Sequence, residues 1–125
     1  MLADKGAMAT IAVKDLAAAR KFYESTLHLK RSGSDDPEVS TYKSGSSTIM
    51  VYKSQYAGTN KATAATWNVG NEFDSIVRDL KNAGVKFEHY EMPGSRLDGD
   101  IHVFEDFKAA WFKDPDGNIL NINNG

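Results

Sequence analysis

The residues best suited to chemistry lie close together in the stretch GDIHVFEDF at 99–107. His102 precedes Glu105 by three residues and Asp106 by four. A histidine beside a carboxylate can act as a general acid or base, and the three side chains have the residue types of a metal site. The same residues are also consistent with a loop histidine whose hydrogen bonds are satisfied by its neighbours. The sequence does not place the three side chains on a shared face. His102 is therefore only a weak catalytic candidate, and no metal site is predicted here.

Composition excludes several classes of function. The 125 residues contain no cysteine, so thiolate metal sites, thiol catalysis and disulfides are absent. The 15 basic and 17 acidic residues are well mixed, so no basic stripe indicates nucleic acid or an anionic membrane. Apolar runs are too short to cross a bilayer, and the first residues do not resemble a signal peptide. We expect a cytoplasmic protein with neither a nucleic-acid nor a membrane partner.

The elements that must position these residues recur in the same order along the chain. Period-two and helical patterns predict a strand, a helix capped by Asp15, and two strands, followed by a polar connection at 55–63. After this connection come another strand, a helix that stops at Gly84, and further strands. The predicted strands lie at 8–13, 38–44, 47–54, 66–69, 85–90, 107–114 and 118–123.

Constant offsets indicate that the recurrence is an internal duplication. The helix residues Leu16, Ala19 and Tyr23 match Phe73, Ile76 and Leu80 at an offset of 57. Strand residues 41–43 and 49–50 match 111–113 and 119–120 at an offset of 70. The difference of 13 falls in a long loop at 91–107, which we expect to be functional or mobile. The sequence thus predicts an α+β domain over 1–125, built of two βαβββ modules at about 6–54 and 64–124.

Two motifs carry a resemblance to a known family. VKDLAAARKFY at 13–23 and WFKDPDGNILNI at 111–122 resemble the vicinal oxygen chelate superfamily, which includes glyoxalase I, bleomycin-resistance proteins, fosfomycin-resistance enzymes and extradiol dioxygenases. The resemblance implies that the sheet of each module curls into a half-cup, with helices outside and ligand inside. It also implies metal ligands at cup-facing strand positions, which this sequence fills with Met8, Ala64 or Ala65, Val51 and Asn121.

The side chains at these positions are poor metal ligands. A thioether, an alkyl chain and a methyl group do not hold a hard divalent cation, and one neutral amide supplies a single weak oxygen. A catalytic site needs about three protein ligands, usually histidines or carboxylates. We therefore expect no metal and no cofactor. Pro115 and Gly117 suit a type I turn that closes a three-residue hairpin loop, which makes DPDG a structural turn.

Strand alternation assigns the remaining faces. Ile11, Val13, Trp67 and Val69 are predicted to pack under the helices, whereas Ile49 and Val51 are predicted to face the cup. A lid or wall that stacks on a flat ligand is predicted from the aromatic residues Tyr90, Phe104, Phe107 and Trp111. Closing one end of the cup by packing against each other is an equally suitable role for them. The predicted ligand-binding residues are Met8, Thr10, Val51, Thr66, Asn68, His102, Trp111 and Asn121.

This lining is mostly apolar with a few neutral hydrogen-bonding groups, which suits an uncharged or weakly polar organic ligand. The leading hypothesis is a metal-independent binding protein of the bleomycin-resistance type, which sequesters or senses a hydrophobic or aromatic compound. A lyase, isomerase or dioxygenase relative with unusual ligands such as His102 and Glu105 is the second. A non-catalytic dimerisation module is the third. A homodimer is expected, because an open cup leaves strand edges exposed.

Overall fold

The protein has an α+β fold with two mixed sheets, as predicted. A computed structural model describes residues 1–33 and 35–125, in two compact units, 1–59 and 60–125. The boundary between the units falls inside the connection proposed from the sequence at 55–63. Each unit contains one sheet and one principal helix. None of the helices formed by the described residues is long and apolar enough to span a bilayer.

The first unit follows the predicted βαβββ order, with one short strand that the sequence patterns did not reveal. The sheet order is β1-β4-β3-β2, with β1 and β4 parallel and the other pairs antiparallel. The missed strand is β2, whose three residues are too few for a visible alternation. The elements are β1 (Ala9–Val13), α1 (Leu16–Arg20), β2 (Lys30–Ser32), β3 (Val39–Ser44) and β4 (Ser47–Lys53).

The helix of the first unit begins and packs as its sequence predicts. Asp15 is the N-cap, and its Oδ1 accepts hydrogen bonds from the backbone amides of Ala17 and Ala18 at 3.0 and 3.2 Å. The helix continues beyond α1 as a π-helical segment over Lys21–Thr26. Tyr23 in this segment is fully buried, and its ring stacks on that of Tyr42 in β3 at a centroid distance of 6.1 Å. The contact fixes the helix against one face of the first sheet.

The second unit repeats this order and adds a hairpin. Its sheet order is β5-β10-β9-β8-β7, with β5 and β10 parallel, and β6 also pairs with β9. A 3-10 turn over Gly70–Glu72 precedes its helix. The elements are β5 (Thr63–Asn68), α2 (Phe73–Asn82), β6 (Phe87–Glu88), β7 (Arg96–Asp98), β8 (Ile101–Phe104), β9 (Phe107–Lys113) and β10 (Ile119–Asn123).

The expectation of a long loop at 91–107 was wrong. Strands β7 and β8 form a hairpin within this stretch, and β8 pairs with β9 through His102 and Ala109. Glu105 and Asp106 form the tight turn between β8 and β9, in which Glu105 has a φ of 55°. The hairpin was not predicted because its strands have only three and four residues, too few for a clear alternation. Conversely, the strand predicted at 85–90 is limited to the two residues of β6.

The loop between β9 and β10 is the predicted structural turn. The amide of Gly117 donates to the carbonyl oxygen of Asp114 at 3.0 Å, and Gly117 has a φ of +86°, which favours glycine. The buried carboxylate of Asp114 accepts from the amides of Asp116 and Asn118, both at 2.9 Å. It also accepts from Nδ2 of Asn118 at 2.8 Å. Asp114 thus anchors the turn from within.

Cross-strand register separates the two faces of the second sheet. Leu120 pairs with Phe112, and Ile122 pairs with Ala110, so these side chains share a face. Lys108 lies two residues before Ala110 on the same face, and its Nζ is 3.6 Å from Oδ1 of Asp74 in α2. The α2 helix therefore covers the face with Leu120 and Phe112. Trp67 pairs with Ile122 on this face, as predicted, although its side chain is only partly buried.

The register of the first sheet corrects one face assignment. Val51 pairs with Ile11 in β1, and it is fully buried together with Val13. Because paired residues point to the same side of a sheet, Val51 lies on the core face and does not face the cup as predicted. Ile49, also assigned to the cup, lies on that core face, because it is paired with the fully buried Tyr42. The prediction for β4 was therefore shifted by one residue, because Met50 and Tyr52, and not Ile49 and Val51, point away from the core.

Candidate functional site

All five predicted ligand-binding residues of the second unit lie on one face of its sheet. We call this side, opposite α2, the far face. Asn121 pairs with Trp111 on one side and with Thr66 on the other, so the three form a row across β9, β10 and β5. A second row contains Ala109, Asn123 and Asn68, and Ala109 also pairs with His102. The far face thus brings together Thr66, Asn68, His102, Trp111 and Asn121.

The centre of the far face is a neutral amide network. Asn121 and Asn123 are 5% and 6% exposed. Nδ2 of Asn121 donates to the carbonyl oxygen of Ala110 at 3.3 Å, and Nδ2 of Asn123 donates to Oδ1 of Asn121 at 3.2 Å. The backbone amide of Gly125 donates to Oδ1 of Asn123 at 2.9 Å. These bonds satisfy part of the capacity of each buried amide and fix its orientation.

His102 lies on the far face with no exposed surface. Its Nε2 is 2.9 Å from the backbone nitrogen of Tyr90, which donates to it, and 3.1 Å from the carbonyl oxygen of Tyr90. Its Nδ1 is buried, and no described residue forms a hydrogen bond with it. Glu105 and Asp106, by contrast, are exposed in the turn after β8. The proposed histidine–carboxylate pair is therefore not formed, and His102 contacts backbone instead.

Three rings meet on this face. The ring of Trp111 lies edge-to-face against His102 at a centroid distance of 4.9 Å and against Tyr90 at 5.9 Å. The indole Nε1 of Trp111 donates to Oγ1 of Thr63 at 3.2 Å. The hydroxyl of Tyr90 is buried and has no hydrogen-bond partner in the described part of the chain. Burial raises the pKa of Tyr90, the charge of Glu88 raises it further, and the opposing effect of Lys113 is smaller. The phenol therefore stays neutral at physiological pH.

The candidates in the first unit are less concentrated. Thr10 pairs with Met50, which pairs with Thr41, so these three form a row on the face of the first sheet opposite the core. Met8 precedes β1 and is 48% exposed. The row Thr10, Met50, Thr41 corresponds in register to the row Thr66, Asn121, Trp111 of the second unit. The counterpart of Asn121 is therefore Met50, not Val51.

The source of this error is the length of one hairpin. Lys43 pairs with Thr48 in the first unit, whereas the equivalent Lys113 pairs with Ile119 in the second. The second hairpin therefore contains one more residue between its paired strands. A constant offset of 70 is correct for β3 and β9, but the offset for β4 and β10 is 71. The asymmetry is visible in the sequence as the five residues DPDGN against the shorter turn SGSS.

The residues at the implied metal-ligand positions do not fit a hard divalent cation. With the register of β4 corrected, these positions hold Met8, Ala64 or Ala65, Met50 and Asn121, which supply two thioethers, a methyl group and one amide. The oxygen of that amide already accepts from Asn123. Such cations prefer several carboxylate, carbonyl or water oxygens, or imidazole nitrogens. Throughout residues 1–33 and 35–125, no three histidine, aspartate or glutamate side chains are grouped in a way that suits a metal.

Sequence reasoning missed the contact that orients His102. Tyr90 was placed in an aromatic cluster, but its backbone bond to His102 depends on β6 and β8 pairing with successive parts of β9. Neither pairing has a local signal, because β6 has two residues and β8 has four. The bond of Trp111 to Thr63 likewise joins residues 48 apart in sequence.

A family model agrees with this architecture. The model of the glyoxalase/bleomycin resistance protein/dioxygenase superfamily matches residues 7–122, which is nearly the whole chain. The chain belongs to this superfamily. The resemblance found in the two sequence motifs is thereby confirmed. No curated protein sequence matches the chain.

Solved structures of the superfamily share the fold at low sequence identity. A lactoylglutathione lyase from Agrobacterium tumefaciens has a TM-score of 0.71 at 15% identity, covering 97% of this chain and 94% of the other. A glyoxalase/bleomycin resistance protein/dioxygenase from Alicyclobacillus acidocaldarius gives 0.70 at 18%, with coverages of 96% and 90%. The fosfomycin resistance protein FosX from Mesorhizobium loti gives 0.69 at 11%, with coverages of 98% and 92%. At these identities the likeness establishes the fold alone.

Proposed function

We propose that this superfamily member binds a small, uncharged or weakly polar organic molecule on the far face of its second sheet, without a divalent cation. The observation that carries the proposal is that Thr66, Asn68, His102, Trp111 and Asn121 share this face. An aromatic ring beside neutral donors and acceptors suits a ligand with a flat apolar part and a few polar atoms.

The proposal also states that binding does not require a metal ion. Its support is chemical, because thioethers, a methyl group and a bonded amide stand at the positions where the family resemblance implies ligands. One structural neighbour, FosX from Listeria monocytogenes, was solved as a complex with Mn(II) and sulfate. A fosfomycin-resistance or lyase activity for this chain would require other ligands. Sequestration or sensing of a hydrophobic or aromatic compound needs none.

A thermal-shift screen with a paired metal analysis tests this function. Purified protein is heated with a panel of aromatic metabolites and antibiotics, in matched samples with and without EDTA, and its metal content is measured. We expect at least one compound to raise the melting temperature equally in both samples, and metal well below one equivalent. A hundredfold excess of ligand over Kd stabilises the folded state by about 2.7 kcal/mol.

Two variants show whether the binding is on the far face. Trp111→Ala is expected to abolish the ligand-induced shift, because the indole is the largest surface on this face. Tyr56→Ala is the matched control, since Tyr56 is 70% exposed and lies in the first unit. A stoichiometric tightly bound cation whose removal eliminates binding would contradict the proposal and favour the enzyme hypothesis.

We also propose that the protein is a homodimer. The support is an apolar edge of the far face, where Leu97 in β7 and Phe107 in β9 are 47% and 42% exposed. Strand edges and exposed apolar side chains are commonly covered by a second copy. Light scattering after size exclusion is expected to give twice the 13.7 kDa chain mass. A monomer at all accessible concentrations would contradict the dimer and leave the binding proposal intact.

A further inference from the structure

Two buried polar atoms on the far face have no hydrogen-bond partner among residues 1–33 and 35–125. They are Nδ1 of His102 and the hydroxyl of Tyr90, whose rings lie 6.2 Å apart between centroids. Leaving a buried polar group unsatisfied is energetically costly, so a native site normally supplies it with a partner. Both atoms belong to the ring cluster that Trp111 completes. They therefore indicate where a ligand contributes the missing bonds.

The backbone amide of Tyr90 determines which ring nitrogen of His102 carries the hydrogen. A peptide amide always carries its hydrogen, and that of Tyr90 donates to Nε2 at 2.9 Å. Nε2 must therefore present its lone pair, even though the carbonyl oxygen of Tyr90 lies 3.1 Å away. A neutral imidazole with a bare Nε2 carries its proton on Nδ1. The opposite tautomer would set two hydrogens against each other and leave the amide without an acceptor.

Both unpartnered atoms are consequently able to donate. Nδ1–H of His102 is a donor only, and the Tyr90 hydroxyl donates while it remains a neutral phenol. The raised pKa of Tyr90, caused first by burial, is consistent with a neutral phenol. Two donors in one aromatic cluster suit an acceptor oxygen on an unsaturated compound.

The charges on the far face favour an uncharged acceptor. Among the described residues, cross-strand pairing places one cationic side chain on this face, Lys113, and its Nζ lies 3.4 Å from Oε1 of Glu88. That pair leaves little positive charge to compensate a buried anion. Removing an ionised carboxylate from water costs far more than removing a carbonyl group with two hydrogen bonds.

From this geometry we infer that the ligand is a neutral aromatic or conjugated carbonyl compound, whose oxygen accepts hydrogen bonds from Nδ1 of His102 and the hydroxyl of Tyr90 beside the ring of Trp111. The inference rests on the proposed binding function and narrows it to a ligand class. It assigns no reaction, since two fixed donors bind a carbonyl oxygen without changing it.

The first test needs no ligand. Long-range nitrogen–proton NMR correlations of ¹⁵N-labelled protein report which imidazole nitrogen of each histidine carries the proton. We expect His102 to be protonated on Nδ1, with Nε2 bare. A proton found on Nε2 would overturn the inference without affecting the proposed binding function, because it would remove one of the two donors.

The second test compares three probes of similar shape, namely acetophenone, benzoate and 1-phenylethanol, by the NMR shifts of the Tyr90 and Trp111 amides. Acetophenone is expected to bind at least about tenfold more tightly than the other two, because the hydroxyl hydrogen of 1-phenylethanol would be left without an acceptor and the carboxylate of benzoate would lose its hydration. Equal affinities for acetophenone and benzoate would overturn the carbonyl inference and leave binding itself established. An ordered water on both donors that acetophenone does not displace would also overturn it.

Matched variants connect the preference to the two atoms. His102→Gln retains an oxygen able to accept from the Tyr90 amide but has no counterpart of Nδ1, and Tyr90→Phe removes only the hydroxyl. Each is expected to weaken acetophenone binding about tenfold. His89→Gln and Tyr52→Phe are the controls, and neither residue belongs to the cluster. Unchanged acetophenone affinity in folded Tyr90→Phe would overturn the inference even if His102→Gln does not fold.

Discussion

Each module has a buried face of similar composition on its own sheet, and the two modules differ on the opposite face. Tyr42 and Ile49 of the first sheet occupy the same register as Phe112 and Leu120 of the second, and all four are buried. On the other face, Thr10, Met50 and Thr41 of the first sheet correspond to Thr66, Asn121 and Trp111 of the second.

The buried face of each sheet therefore maintains the repeated fold, whereas the opposite face gives the second unit its polar and aromatic side chains. Core positions remain apolar because each must fill space under a helix. The opposite face has no such requirement within its own sheet, so it can hold a thioether in one unit and an amide network in the other. Four sets of substitutions test this contrast, and they are expected to differ in how much stability each one costs.

Phe112→Ala is expected to have the largest effect. The side chain is 1% exposed, and its ring lies 5.9 Å from that of Phe87. Removing a buried phenylalanine costs roughly 3–5 kcal/mol. Urea denaturation followed by tryptophan fluorescence measures the loss, because Trp67 and Trp111 both lie in the second unit. Phe107→Ala is the control on the far face, and a comparable loss there would contradict the division into faces.

Val51→Ala and Met50→Ala test the corrected register. Val51 is fully buried, so its truncation is expected to cost about 2 kcal/mol. Met50 is only partly buried on the other face, and its truncation is expected to cost clearly less. Chemical denaturation followed by circular dichroism measures both. If the order of the two losses is reversed, the one-residue correction is wrong.

Asn121→Ala is expected to show that the far-face network contributes to stability. The change removes the donor to Ala110 and the acceptor for Asn123, both buried. An unsatisfied amide left behind costs about 1–3 kcal/mol. Thr66→Ala is a control in the same row, since Thr66 is exposed. Equal unfolding free energies for Asn121→Ala and wild type would mean that the network is replaced by solvent.

Asp100→Asn is expected to have the smallest effect, and one that depends on pH. Hydrogen bonds from Lys81 first, and then from His89, lower the pKa of Asp100 below its usual 3.8. A carboxylate with a lowered folded-state pKa stabilises the protein above its unfolded pKa, and that stabilisation is lost as pH falls through the folded value. We expect a loss of up to about 1 kcal/mol at pH 7 that disappears in acid.

Thermal unfolding of both proteins from pH 7 down to about pH 2 measures this dependence. Asp98→Asn is the control, because it removes one charge from the same hairpin at an exposed position. A constant difference between Asp100→Asn and wild type over the whole range would show that the ion pairs with α2 and His89 contribute nothing.

The sequence predicted those parts of the fold that have a strong local signal. The Asp15 cap, the buried stripe of Leu16, Ala19 and Tyr23, and the turn at Gly117 are each determined within a few residues. Strands β2, β6, β7 and β8 were missed or misplaced because none exceeds four residues. Pairing with a longer neighbour maintains them, and a single sequence contains no record of that pairing.

In the candidate site, too, residues with a local sequence signal were predicted and those that depend on distant contacts were not. Thr66, Asn68 and Asn121 were placed on one face because alternation is regular in these parts of β5 and β10. Val51 was misplaced because a one-residue difference between two hairpins reverses the inferred face. The role of Tyr90 depended on contacts between distant strands, which alternation does not encode.

The Asp114 turn has a consequence for the order in which the second unit folds. It closes a loop of only a few residues and satisfies its own backbone amides, whereas the parallel pairing of Thr66 with Asn121 joins residues far apart in the chain. Short loops close in tens of nanoseconds, and hairpins form in microseconds. Strands β9 and β10 are therefore expected to form the folding nucleus, on which β5 docks late, so that Asp114→Ala slows refolding more than it accelerates unfolding.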